Sequence, residues 1–290
     1  MSLRDRIRAC AAFTPERYQP FRVDGRAVGQ VAHGVAAHLA TFSDVFIANE
    51  KALSLHPRLV TPDTRTRAVE EILLQLRDDG RIKGWRNEHY PVSESFYAPP
   101  LLTIERAAVP LLVTMGYGVH LNGVVVKDGR MHMWVGKRSM QKPTGPGKLD
   151  QVVAGGLPVG VSVRDNLIKE CAEEAGMSAE LAERAVPVGT ISYLTERPEG
   201  VRHDVLFNYD IVLPEDFVPV PTDGEVDAFY LWPIEDVLNR IRDGDDFKFN
   251  AALVIIDFAV RHGVLTPDDP AYIDVTEALR LGRAGAYPVR

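Results

Sequence analysis

Three glutamates crowd one stretch of the chain, Glu170, Glu173 and Glu174, at spacings i, i+3 and i+4. At roughly 100° per residue these positions fall within one arc of a helix about 100° wide. Like charges at such spacings repel by about a few tenths of a kcal/mol per pair, so the helix itself gains nothing from them. A bound cation would reverse that balance. Hard divalent ions take oxygen ligands, and Mg²⁺ characteristically binds a few carboxylates, keeps several waters and completes its shell with substrate phosphates. The run Gly155-Gly156-Leu157-Pro158 sets a glycine turn ahead of the acids. Residue types and spacing together point to a metal-assisted site for a diphosphate.

The elements that must position these acids are legible around them. Leu167, Ile168, Cys171, Ala172 and Ala175 fill an apolar arc beginning near where the acids stop, the pattern of a helix packed on a sheet. Ser162 with Asp165 three residues on reads as a capping-box variant, and Gly176 as a C-terminal stop, which predicts a helix over 163–175.

This segment resembles the Nudix box, a Gly, five residues, Glu, seven residues, then Arg-Glu-apolar-x-Glu-Glu-x-Gly-apolar. Gly155, Glu170, Cys171, Glu173, Glu174, Gly176 and Met177 match it, while Val161 stands where the first Glu is expected and Lys169 where the Arg is expected. Asp165, four residues ahead of Lys169, is expected to pair with it in place of the lost Glu–Arg partnership. Tyr117-Gly-Val-His120-Leu-Asn122, Pro146-Gly-Lys148-Leu-Asp150, Asp223-Gly-Glu225-Val-Asp227 and Phe247-Lys248-Phe-Asn250 look like the branch related to the Nudix domain fused to thiamine pyrophosphokinase. Trp85-Arg-Asn87-Glu88-His-Tyr90 and Ile104-Glu105-Arg106 look like the N-terminal domain that accompanies that branch.

The resemblance implies an α/β fold, a Nudix α/β/α sandwich with a mixed sheet, preceded by a smaller α+β domain. It implies a Mg²⁺-dependent hydrolase, with Mn²⁺ as a substitute, that cuts a small-molecule diphosphate. Thiamine diphosphate or its oxidised oxo- and oxythiamine forms are the expected substrates, trimmed to the monophosphate. Glu170, Glu173 and Glu174 would be metal ligands with the Gly155 carbonyl beside them, and Glu170, Glu174 and Glu225 the catalytic carboxylates. Glu225 is the candidate fourth acid, as ligand or general base. Arg138, Lys148 and Lys248 are candidate phosphate contacts and Asp150 a further substrate contact. Asp150, Asp223 and Asp227 are expected to supply negative charge for a cationic thiazolium.

Other residues invite smaller roles. His120, alternating with apolar residues, reads as a core histidine, and Trp85, Tyr117 and Trp232 as core aromatics that could also stack on a ring. Three rival readings share the fold: hydrolysis of ADP-ribose or another nucleoside diphosphate, a ligand sensor without catalysis, and double-bond isomerisation of a prenyl diphosphate. The last needs a cysteine in the pocket, whereas Cys171 points to the packed side of its helix.

Composition narrows the partners. A formal net charge of −7 argues against nucleic-acid binding, which needs a basic surface. Any phosphate site must therefore be local. Two cysteines, Cys10 and Cys171, are too few for a disulfide framework. No apolar run reaches the roughly 18 residues of a membrane span, and Met1–Cys10 lacks the apolar core of a secretion signal, so a cytoplasmic location is expected. A homodimer is compatible with this reading.

Along the chain, 64–79 reads as an amphipathic helix with Val69, Ile72, Leu73 and Leu76 on one face. The first domain is expected over 1–112, with no separate catalytic constellation and a role in substrate entry or subunit contact, and the Nudix domain over 113–290. Strands 120–127 and 131–137 flank Asp128-Gly129, a hairpin signal. Further strands are expected near 187–194, 203–213 and 229–232, with an acidic loop over 214–227. Pro233 should open a helix that runs to Gly244. A last helix is expected from Asn250, as its cap, to His262.

Overall fold

The computed structural model describes residues 2–281, so the expected ranges 1–112 and 113–290 run past it at both ends. The chain opens with helix α1 (Leu3–Arg8), then β1 (Tyr18–Val23), β2 (Arg26–Ala32), α2 (His33–Leu39), β3 (Phe46–Asn49) and β4 (Ala52–Leu55). Helix α3 (Pro62–Asp78), strands β5 (His89–Val92) and β6 (Leu102–Glu105) and the short α4 (Val109–Leu112) follow. A four-stranded sheet in the order β2-β1-β4-β3 and the separate β5–β6 pair share one core with α3. The predicted stripe Val69, Ile72, Leu73 and Leu76 is the buried face of α3. Thr61 and Thr64 cap that helix reciprocally, with Pro62 in its first turn, where no amide partner is lost.

Val113 turns the chain out of α4 at φ +45, an unusual conformation for a β-branched residue, held by burial against Leu194 and Val201. Strands β7 (Gly116–Lys127) and β8 (Arg130–Arg138) follow, joined by Asp128 and Gly129 at φ +50 and +73. Positive φ at both positions is what a two-residue hairpin matched to strand twist requires. Then come β9 (Leu149–Asp150), β10 (Val153–Gly156), α5 (Val163–Ala175), α6 (Ala179–Ala182), β11 (Val186–Arg197), β12 (Gly200–Val212) and β13 (Val226–Pro233). Helices α7 (Ile234–Asp243), α8 (Phe249–Arg261) and α9 (Tyr272–Leu281) complete the described chain.

The sheet runs β11-β12-β7-β8-β13, with β12 parallel to β7 and the other pairs antiparallel. One edge of β7 is divided: β8 pairs with Val124–Lys127, and β10 with Gly118–Leu121. That division sets the glycine turn at the middle of the sheet. Helix α5 buries Leu167, Cys171 and Ala175 on one face against Val119, Leu121 and Val125. Helices α7, α8 and α9 cover the other face over Val124, Met133 and Val135. This is the expected α/β/α sandwich with a mixed sheet.

Two local readings need correction. Asn250 is not the cap of α8: Lys248, two residues earlier, holds that position, and its amide is taken by Leu149 O. Asp165 does not pair with Lys169, because its carboxylate is already taken up with Ser162 at 2.7 Å in the helix cap. Helix α1, from the first stretch, packs Leu3 and Ile7 into the same core as α8 and α9.

Candidate active site

The acidic helix delivers its glutamates unequally. Glu170 and Glu174 are buried against β10, whereas Glu173 is exposed and pairs with Lys169 at 2.7 Å. Lys169 also reaches Glu170 at 3.4 Å, so the residue at the box arginine position neutralises the acids themselves. The backbone N–H of Ala154 donates to Glu174 Oε2 at 2.7 Å. Gly155 has no room for a side chain, since a β-carbon there would collide with the Glu170 carboxylate. Asn166 Nδ2 donates to Gly156 O at 3.0 Å and holds the turn to the helix.

Burial sets the protonation of the pair. It pushes the Glu174 carboxyl up to about 7, with the Ala154 N–H pulling down and the Glu170 charge adding to the rise. Glu170 is raised for the same reason, with Lys169 in part restoring its charge. Two desolvated, mutually repelling carboxylates are a donor set for a hard cation, and in this respect the residues fit Mg²⁺ or Mn²⁺. Among the described residues no three His, Cys, Asp or Glu side chains converge as a complete ligand set. Glu173 stands outside, and the Gly155 carbonyl faces strand β7, 2.8 Å from where a β-carbon on Gly118 would lie.

Beside the turn opens a cavity of about 550 Å³ walled by both parts of the chain. Arg81, Lys83, Arg86 and Arg106 enter it from the first part, and Arg138, Lys142, Arg202 and Lys248 from the second. Among the described residues only two carboxylates, Glu199 and Asp204, share the wall. In a chain of net charge −7 this concentrates positive charge at one place. Arg106 is held by Glu88 at 2.8 Å and lies 5.7 Å above the Tyr90 ring. Tyr90 and Arg106 press on Gly156, where a β-carbon would meet the Tyr90 hydroxyl and come 3.2 Å from the Arg106 guanidinium carbon.

The sequence-predicted substrate residues divide three ways. Arg138 and Lys248 lie in the cavity wall, both anchored on buried Asp150, at 2.8 and 3.1 Å. Burial opposes the Asp150 charge, but Lys248 and Arg138 outweigh it and hold the carboxyl well below the usual range. Burial likewise lowers Lys248 to about 8. Asp150 is thus the anchor of two cations rather than a wall residue. Lys148 is turned away, ion-paired with Asp245 at 2.9 Å. Glu225 pairs with Lys142 and, at 3.6 Å, with Arg86.

His120 is the buried core histidine expected, bonded to Gln151 at 2.7 Å and lowered by burial to about 4, and it also reaches the cavity. Tyr117 lines the wall, while Trp85 lies under Arg77 and Trp232 stacks on Tyr230. Cys171 is buried under α5, with its thiol pushed up to about 12, away from any pocket chemistry. Sequence reasoning gave no role to Arg106, Tyr90, Lys142 or Tyr193. The signal for the first two was available, since both lie in segments 85–90 and 104–106 that carry the family likeness.

A Nudix sheet and box with this acid pair and cationic wall define a phosphoanhydride hydrolase. Residues 122–253 match the family model described as NUDIX domain, and 2–116 match a domain of unknown function, DUF4743. The chain is 47% identical over 265 residues to Nudix hydrolase 24, chloroplastic, of Arabidopsis thaliana, covering 91% of this chain and 73% of that protein. It is 45% identical to Nudix hydrolase 20, chloroplastic, of the same plant, covering 90% and 72%. An uncharacterized protein of Saccharomyces cerevisiae is 31% identical, with 91% and 83% covered. Among solved structures, the NUDIX domain of Shewanella oneidensis NrtR complexed with ADP ribose aligns with a TM-score of 0.41 at 15% identity, covering 50% of this chain and 87% of that one. The chain belongs to the Nudix hydrolase family, with an N-terminal DUF4743 domain.

Proposed function

We propose that this chain hydrolyses the diphosphate of a small organic diphosphate, releasing the monophosphate and inorganic phosphate. The observation that carries the reading is the wall of eight cations in a −7 chain, set beside two desolvated carboxylates at a glycine turn. Glu170 and Glu174 would hold the divalent ion, which neutralises phosphate oxygens and lowers the pKa of an attacking water. Arg106 from the first domain and Arg138 and Lys248 from the second would bind the phosphates, each already fixed by a carboxylate partner. Binding energy spent on fixed cations goes to orientation rather than ordering.

Within this reading we assign the organic group to the thiamine class, in a form that has lost the thiazolium charge. The family likeness of the flanking segments supports the class. The wall supports the charge state, since it offers Tyr90, Tyr117, Tyr193 and Phe249 as aromatic surfaces but few acids. Asp223 and Asp227, expected to face a thiazolium, are not in that wall, and Asp150 is committed to Arg138 and Lys248.

The test is turnover in Mg²⁺, read as inorganic phosphate released from oxothiamine diphosphate and thiamine diphosphate and as AMP formed from ADP-ribose, whose cleavage gives two phosphate monoesters. The expected order of kcat/KM places oxothiamine diphosphate first. A preference for ADP-ribose of about tenfold, or about 1.4 kcal/mol in transition-state binding, overturns the thiamine assignment and leaves the hydrolase standing. Tight binding without turnover of any of the three would make the chain a sensor.

A further inference from the structure

Three residues far apart in sequence form a relay whose hydrogen-bond polarity is forced. Tyr193 and Asp204 are directly opposed in the β11–β12 ladder, and the Tyr193 hydroxyl donates to Asp204 Oδ2 at 2.6 Å. A carboxylate only accepts, and a phenol has one hydrogen to give. Toward Asn250, whose amide lies 3.1 Å from the same hydroxyl, Tyr193 can therefore only accept. Asn250 must present its NH₂ there, which fixes which end of the amide is oxygen. Burial and the neighbouring Asp204 charge push the phenol well above its ordinary pKa, so it keeps its proton at neutral pH.

The consequence falls on the other end of the amide. Asn250 is 5% exposed, its Oδ1 has no partner, and the residue lies in the cavity wall with Tyr193 and Asp204. Phe249 packs edge-on against the Tyr193 ring at 5.4 Å and steadies the relay. Among the described residues, the one other wall side chain with an unpaired buried polar atom is Arg202, through a donor, Nε. Asn122, Asn166 and Asn208 also carry unpaired oxygens, but none reaches the cavity. A buried acceptor without a partner is costly, and a site built around one rejects ligands that cannot supply a donor.

We propose that Asn250, held by Tyr193 and Asp204, reads the organic half of the substrate by accepting a hydrogen bond from an N–H or O–H on it. Asn250 is the specificity residue and Tyr193 a positioning residue that acts through it. The proposal rests on the diphosphate-hydrolase reading and deepens it: the ligand class is a diphosphate whose organic group carries a hydrogen-bond donor, as an aminopyrimidine does.

The matched probes are oxothiamine diphosphate and its 4′-deamino analogue, which share the diphosphate and the uncharged thiazolone and differ in the exocyclic amino donor on the pyrimidine. Wild type should favour the amino compound in kcat/KM by about tenfold or more. Asn250→Leu should bring the two within about threefold, and Tyr193→Phe should lower the ratio as well, since the amide is then free to turn over. The ratio is taken within one variant, so partial misfolding cancels. An unchanged ratio in both variants, or no preference in wild type, overturns the role of Asn250 while the hydrolase reading stands. Turnover of neither compound by wild type overturns the thiamine reading and this inference together.

Discussion

The N–H of Ala154 and the carboxylate of Glu174 meet at 2.7 Å, so the strand that precedes the glycine turn is fastened to the acidic helix through a would-be metal ligand. Glutamine can accept the same hydrogen bond through its amide oxygen but binds a cation far less well. Glu174→Gln should therefore keep the fold and lower kcat by about 100-fold or more, the scale of losing a main electrostatic stabiliser. Steady-state turnover in Mg²⁺ measures this, and unchanged turnover would remove Glu174 from the site.

The same residue predicts a pH dependence of stability. Its carboxyl titrates near 7 in the fold against an ordinary value of 4.5. Between these two values the folded protein holds a proton that the unfolded chain has released, so wild type loses stability as pH rises through that window. Glu174→Gln escapes the loss. In chelator the variant should match wild type near pH 4.5 and exceed it by up to roughly 3 kcal/mol above pH 7, read by denaturant unfolding. Added Mg²⁺ should raise the Tm of wild type and leave the variant's nearly unmoved, because ligand binding stabilises only the state that binds it.

Arg106 carries a prediction for the first domain. It reaches Gly156 across the boundary between the two halves and already has Glu88 to hold it in place. Arg106→Ala should raise KM by about tenfold or more for a diphosphate substrate, the scale of a lost charge-assisted hydrogen bond. A variant with wild-type KM and kcat would show that the first domain supplies shape alone.

Helix α1 should matter to stability out of proportion to its length. Ile7 is buried in the core that α8 and α9 build. Ile7→Ala should cost about 2–5 kcal/mol by denaturant unfolding, as for other large-to-small changes in packed cores. A loss below about 0.5 kcal/mol would mean that the helix docks only loosely.

What was legible in advance depended on neighbours in sequence. The helix 163–175, its Ser162 cap and Gly176 stop, the Asp128-Gly129 hairpin and the buried stripe of α3 all follow from contacts within about four residues. Where one residue had two local partners in reach, spacing did not choose between them: Asp165 keeps the expected Ser162 cap and not the Lys169 pair, and the cap of α8 falls on Lys248 instead of Asn250.

The sequence by itself determined that a row of acids follows a glycine turn on a helix packed against a sheet, because periodicity and capping are properties of short segments. The tertiary structure alone decided which acids are buried, that Lys148 faces Asp245 while Lys248 lines the wall, and that Arg81 to Arg106 complete a cavity begun by Arg138 and Arg202. It also decided the polarity of the Asp204–Tyr193–Asn250 relay. Those outcomes rest on burial and on partners tens of residues apart. Desolvation and hydrogen-bond direction are set by what surrounds a group in space, which no local spacing encodes.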